Sequence, residues 1–135
     1  MKPNRTLQWL AIAAIVFGLL TVVSGGRALF GGAAARAELG NIVPFVLWFN
    51  FIAGLVYVAA GAGLLTARRG AAQLSLLLAV TTVLVFLAFM AHIVSGGAYE
   101  MRTVGAMAIR SLFWIVVAAF ALRAAKTQSA RSPAS

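Results

Sequence analysis

Four apolar runs separated by short polar breaks dominate the chain. LQWLAIAAIVFGLLTVVSG covers about Leu7 to Gly25, and IVPFVLWFNFIAGLVYVAAGAGLLTA covers about Ile42 to Ala67. QLSLLLAVTTVLVFLAFMAHIVS runs from about Gln73 to Ser95, and TVGAMAIRSLFWIVVAAFAL from about Thr103 to Leu122. A helix needs about 20 mainly apolar residues to cross hydrocarbon, and each run meets that length. The pattern predicts an all-α integral membrane protein with four transmembrane helices in an antiparallel bundle, a domain over 1–125 followed by a polar, disordered tail over 126–135. Pro44 falls in the first turn of the second helix, where proline is tolerated. Only the Arg68–Ala72 and Gly96–Arg102 turns separate the last three runs, which makes those helices antiparallel neighbours.

Within lipid, helices associate through close backbone approach and interhelical hydrogen bonds, so small and polar residues mark the buried stripes. On the second helix Asn50, Ala53, Gly54, Tyr57, Ala60, Gly61 and Leu64 recur at helical spacing. The third offers Thr81, Ala88, His92 and Ser95, and the fourth Thr103, Met107, Arg110 and Trp114. Gly18, Thr21 and Gly25 form a weaker stripe on the first. Gly25-Gly26, Gly31-Gly32 and Gly96-Gly97 read as turn-formers, because no strand precedes them and no Lys-Ser/Thr follows to make a phosphate cradle. The long connection GRALFGGAAARAELGN, from Gly26 to Asn41, has an Ala-rich centre that fits a short interfacial helix with Leu29 and Phe30 inward, placed as a lid.

Composition agrees with the pattern: 63% of the 135 residues are hydrophobic and 10% charged, against about 45–50% and about 25% in soluble domains. Eleven Lys+Arg against two acids give a net charge of +9. These charges flank apolar runs instead of clustering on one face, so the expected partners are membrane lipids and not nucleic acid. One side of the bundle carries Lys2, Arg5, Arg68, Arg69, Arg123, Lys126 and Arg131; the other has Arg27, Arg36 and Arg102 with Glu38 and Glu100. The positive-inside rule then places both termini in the cytoplasm. The start of the chain imitates a signal peptide, with Ala35-Arg36-Ala37 as cleavage-like string, but the apolar run stops near Val23, too far upstream. The expectation is an uncleaved first span. With no cysteine, thiolate and disulfide chemistry are excluded for the chain alone.

Polar residues gather in one half of the predicted bundle. At ~1.5 Å per residue, Asn50 lies roughly 12 Å and Arg110 roughly 10 Å below that end, with His92 about one turn down. Tyr99, Glu100, Arg102 and Glu38 are in the loops above, which predicts a polar pocket opening outward and formed by these residues with Tyr57. An intramembrane Arg costs at least about 2.5–3.5 kcal/mol unless paired or hydrated. Arg110 is therefore expected to pair with Glu100 or Glu38, the only carboxylate side chains. Arg110 fits a structural pair, snorkelling to the interface, or an anion or headgroup ligand. His92 fits a satisfied hydrogen-bonding residue, a proton relay with Glu100, or a metal ligand, although too few further donors accompany it. Tyr57 and Asn50 fit interhelical hydrogen bonds or ligand contacts. Trp9, Trp48 and Trp114 with Phe45, Phe49 and Phe51 lie largely near helix ends, as in interfacial aromatic belts.

FIAGLVYVAAGAGLLTARRGAAQLSLLLAVTT, from Phe51 to Thr82, resembles the DoxX-like family of small four-helix bacterial membrane proteins. The likeness rests on the Gly54 and Gly61 spacing, the Leu64-Leu65 end, the Arg68-Arg69 turn and the following Ala/Leu-rich helix, and covers about a quarter of the chain. Members typically carry an acidic residue about four positions before the second glycine; here that position holds Tyr57. The resemblance implies the bacterial inner membrane and an accessory subunit that partners a membrane oxidoreductase or binds a lipid-soluble, quinone-like ligand; Glu100, Glu38, His92 and Tyr99 are too few and too exposed to make the chain an enzyme on its own. The alternative is a small transporter or channel using the same pocket, as a homo-oligomer formed through the glycine-rich second span. Which cofactor would be involved does not follow from the residues.

Overall fold

The computed structural model of the protein describes residues 4–131. Among them are five helices: α1 (Arg5–Phe30), α2 (Gly32–Leu39), α3 (Pro44–Leu65), α4 (Ala71–Val94) and α5 (Met101–Arg131). All but α2 are long and apolar enough to cross a membrane. They alternate in direction and pack as a bundle. α1 lies along α3, α3 against α4, and α4 against α5, while α5 and α1 touch only slightly.

Local chemistry sets the ends. The Asn4 side chain accepts a hydrogen bond from the Leu7 amide at 2.8 Å and caps α1. Pro44 opens α3, where its missing N–H would have had no helical partner. α3 and α4 end alike: Arg68 N donates to the Gly63 carbonyl, and Gly97 N to that of His92, both at 2.9 Å. Each is a Schellman-type closure with the preceding residue in the left-handed region. Gly96 adopts that conformation freely at φ 89°, but the α3 turn uses Ala67 at φ 52°. A Cβ is disfavoured there. Ala67→Gly is expected to raise stability by up to about 1 kcal/mol in reversible unfolding from mixed micelles.

Three sequence expectations change. Gly25 and Gly26 do not turn the chain; α1 continues through them to Phe30. Gly25 is instead a packing residue, since a Cβ there would lie 3.2 Å from Phe51 Cβ. Leu29 and Phe30 therefore belong to the last turn of α1, and Phe30 stands edge-on to Trp48 and Phe51 at the surface. The Ala-rich segment is helical, as α2, and buries no residue. At the other end, α5 extends through Arg131 and takes in positions 126–131, read above as disordered tail. Ala, Arg, Lys and Gln favour helix, and no Gly or Pro interrupts before Pro133. Positions 132–135 lie outside the described residues.

The inward stripes of α1, α3 and α5 lie where the small-residue spacing puts them. Gly18, Thr21 and Gly25 are buried, as are Ala53, Gly54, Tyr57, Ala60, Gly61 and Leu64. On α4 the stripe is different: Ser75, Leu78, Ala79, Thr82 and Phe89 face inward, while Ala88 and Ser95 are exposed. Hydroxyls on both faces are satisfied within the helix: Thr81 Oγ1 donates to the Leu77 carbonyl at 2.8 Å, Ser95 Oγ to that of Ala91 at 2.7 Å and the buried Ser75 Oγ to that of Ala71 at 2.9 Å, so a hydroxyl does not by itself mark the inward face.

Burial runs opposite to that of a water-soluble fold. Ala11, Ala14, Ala60 and Gly61 are inside, whereas Leu20, Val23, Leu84, Leu87 and Leu112 are more than half exposed. Such a continuous apolar exterior is incompatible with water as the surrounding solvent.

Candidate functional site

Three helices and one loop build a cavity of about 270 Å³ at the end of the bundle that carries Glu38 and Glu100. α1 supplies Thr21, Ser24, Gly25 and Ala28, and α3 supplies Val46, Leu47 and Asn50. α5 contributes Arg102, Thr103, Ala106 and Arg110. The segment from Leu39 to Val43, with Glu100, completes the rim, and α4 lines none of it. Aliphatic or small residues make up half of the lining, and polar or charged side chains the rest.

Arg110 is the most consequential of them. Its Nη2 donates to Thr21 Oγ1 at 3.2 Å, which ties α5 to α1. The guanidinium carbon stands 5.1 Å from the centre of the Phe17 ring, within cation–π range. Nε and Nη1 are buried without a hydrogen-bond partner, as is Asn50 Oδ1. The expected pairing of Arg110 with Glu100 or Glu38 is not formed. The one ion pair among the described residues joins Arg27 to Glu38 at 3.3 Å, with both side chains about 70% exposed. Glu38 is held there because α2 folds back on α1: Arg36 donates to the carbonyls of Ala28 and Leu29 at 3.2 and 3.1 Å, occupying acceptors that the end of α1 leaves free. Glu100 lines the cavity with Arg110 but packs against Gly40, at φ 75°, where a Cβ would run into the carboxylate. Beside it Arg102 donates to the Leu39 carbonyl at 3.2 Å, so the rim is cross-braced.

Of the eight residues expected to share a pocket, Asn50, Glu100, Arg102 and Arg110 line the cavity. Tyr57 lies deeper: fully buried, its ring 4.9 Å from that of Trp114 and 5.6 Å from that of Phe17. Tyr57, Trp114 and Phe113 with Phe17 fill the bundle beneath Arg110. His92 faces another way. Its Nε2 is 3.0 Å from the Ala98 carbonyl, which can only accept, so that nitrogen carries the proton. The ring lies over Gly97 with no room for a Cβ, and packs near Phe45 and Phe89. His92 thus clamps the turn between α4 and α5. Tyr99 packs edge-on to Phe89 on the same side. Thr21 and Phe17, which contact Arg110, lie outside the expected eight, as do the lining residues Ser24 and Thr103. The Gly18, Thr21, Gly25 spacing signals that Thr21 faces inward, but not that Arg110 is opposite.

The inverted burial, four long apolar helices and a polar cavity recessed in them define a small multi-pass helical membrane protein. No family model, curated protein or solved structure matches the chain.

Proposed function

We propose that this protein is a DoxX-like accessory membrane protein that holds a lipid-soluble, quinone-like molecule in the cavity beside Asn50 and Arg110. Both termini face the cytoplasm, and the cavity opens toward the opposite face of the bacterial inner membrane. The supporting observation is the amphipathic lining: aliphatic walls from Ile42, Val46, Leu47 and Ala106, with Arg110 and Asn50 beside them as the polar residues nearest a head. Pockets for small organic ligands combine such walls with a few directed polar groups. Glu100 and Arg102 frame the mouth. His92, Tyr99 and the Glu38 pair hold the surrounding turns, and Tyr57 supports Arg110 from below. The aromatic packing of Tyr57 and Trp114 beneath the cavity favours a binder over a transporter, which needs polar groups along both halves of its path.

Extraction of the purified protein with organic solvent, followed by mass spectrometry, tests this reading. A lipid or quinone enriched over the surrounding membrane is expected in the native protein. In Ala106→Trp, whose indole fills the cavity, its retention should drop at least about tenfold while bulk lipid is unchanged. Equal retention by a folded Ala106→Trp would place any bound molecule outside the cavity.

A further inference from the structure

We infer that the cavity takes the head of a singly anionic amphiphile, a phosphodiester or carboxylate against Arg110, which enters sideways between α1 and α5. This rests on the reading of the cavity as a site for a lipid-soluble molecule and puts a monoanionic head in place of a neutral, quinone-like one. Three observations carry it.

The first is charge. Arg110 is an intramembrane cation whose one side-chain hydrogen-bond partner is a neutral hydroxyl, and two of its nitrogens are buried without an acceptor. A positive guanidinium in that setting is matched by an oxyanion, which accepts from adjacent N–H groups at once. Arg102 and Glu100 also line the cavity, so two cations and one carboxylate leave a single positive charge to be balanced. The second is size. A cavity of about 270 Å³ lies at the small end for sites that hold small organic molecules. It suits a headgroup, with the tail outside.

The third is where the lining comes from. Ser24 and Ala28 of α1 and Thr103 and Ala106 of α5 line the cavity between two helices that pack only slightly together, while the Arg110–Thr21 hydrogen bond and the Phe17–Phe113 contact close the seam below. A head entering along the upper part of this seam leaves its tail in the hydrocarbon.

The test uses the full chain in phosphatidylcholine nanodiscs doped with phosphatidylglycerol or oleate, read by native mass spectrometry. Binding of at least one of these anionic amphiphiles at tenfold or greater preference over phosphatidylcholine is expected. That preference should disappear in Arg110→Met and return in part in Arg110→Lys. Phosphatidylglycerol with a diazirine on its acyl chain, photolysed in complex with the wild-type protein, is expected to label peptides of α1 and α5. Both wild-type readouts stand even where Arg110→Met fails to fold. Labelling confined to α4 would overturn the sideways route. Displacement of the amphiphile by inorganic phosphate at similar concentration would make this a site for a soluble anion and overturn the proposal. If neither anionic amphiphile is preferred but decylubiquinone is retained and lost in Ala106→Trp, the anionic head is refuted while the broader reading stands. Loss of all such binding refutes both.

Discussion

Gly18→Val is expected to separate α1 from α3 and to lower the stability of the bundle by about 3 kcal/mol, the upper end of the usual overpacking range. A Cβ at this position would stand 2.6 Å from the Gly54 carbonyl oxygen and 2.9 Å from Tyr57 Cβ. A backbone oxygen cannot rotate aside as a long side chain does, so the helices themselves must part. Gly61 repeats the arrangement one stretch along, with its added Cβ 2.7 Å from the Ala11 carbonyl. The α1–α3 seam is thus a line of backbone contacts, the mode by which helices gain dispersion energy where lipid offers no hydrophobic drive. Reversible unfolding in mixed micelles measures the loss. Gly105→Ala is the control: nothing lies within 4 Å of its added Cβ, and a gain of up to about 1 kcal/mol is expected. Gly18→Val unfolding at the wild-type midpoint would show that the seam is wider than described.

Arg110→Met should have the opposite effect on the ligand-free protein, raising its stability by about 1–3 kcal/mol. The variant keeps the apolar stem and removes a charge that no carboxylate balances. It forfeits the charge-assisted hydrogen bond to the Thr21 hydroxyl and the contact with Phe17, which together are worth less than the desolvation of an unpaired guanidinium. Added phosphatidylglycerol should then raise the melting temperature of the wild type and leave that of Arg110→Met unchanged. A variant less stable than the ligand-free wild type would mean instead that Arg110 chiefly fastens α5 to α1. The expected pair of effects, stability gained and ligand response lost, marks a residue retained for binding at a cost to the fold.

Much of the architecture is legible in the sequence because lipid makes the rule simple. Small residues at helical spacing identify the buried faces of α1 and α3, and Met107 and Trp114 flank Arg110 on the buried face of α5. The same rule fails on α4. Thr81 and Thr82 are adjacent and chemically identical, yet only Thr82 is fully buried, and a hydroxyl bonded to its own helix occurs both at half-buried Thr81 and at buried Ser75. Which of the two threonines faces inward depends on what the neighbouring helix presents, which is not written in local sequence. The site shows a similar division. Arg110 stands out as an intramembrane charge, but its partner could not be found by seeking an acid. Glu38 is taken by Arg27 through the fold-back of α2, and Thr21, 89 positions away in sequence, is brought opposite by packing alone. His92 is conspicuous as the only histidine, and its use as a turn clamp depends on the closeness of Gly97, visible only in three dimensions.

The slight contact between α1 and α5 also governs the order in which the protein assembles. Every extensive helix pair, α1 with α3, α3 with α4 and α4 with α5, joins successive membrane-long helices. Each can dock as soon as its second member is inserted, and none must wait for a distant segment. The α1–α5 pairing, which links the two ends of the sequence, is slight and must wait for the last helix. Local openings draw on the least stable contacts first, so the folded bundle should breathe along this line and exchange its backbone amides soonest there.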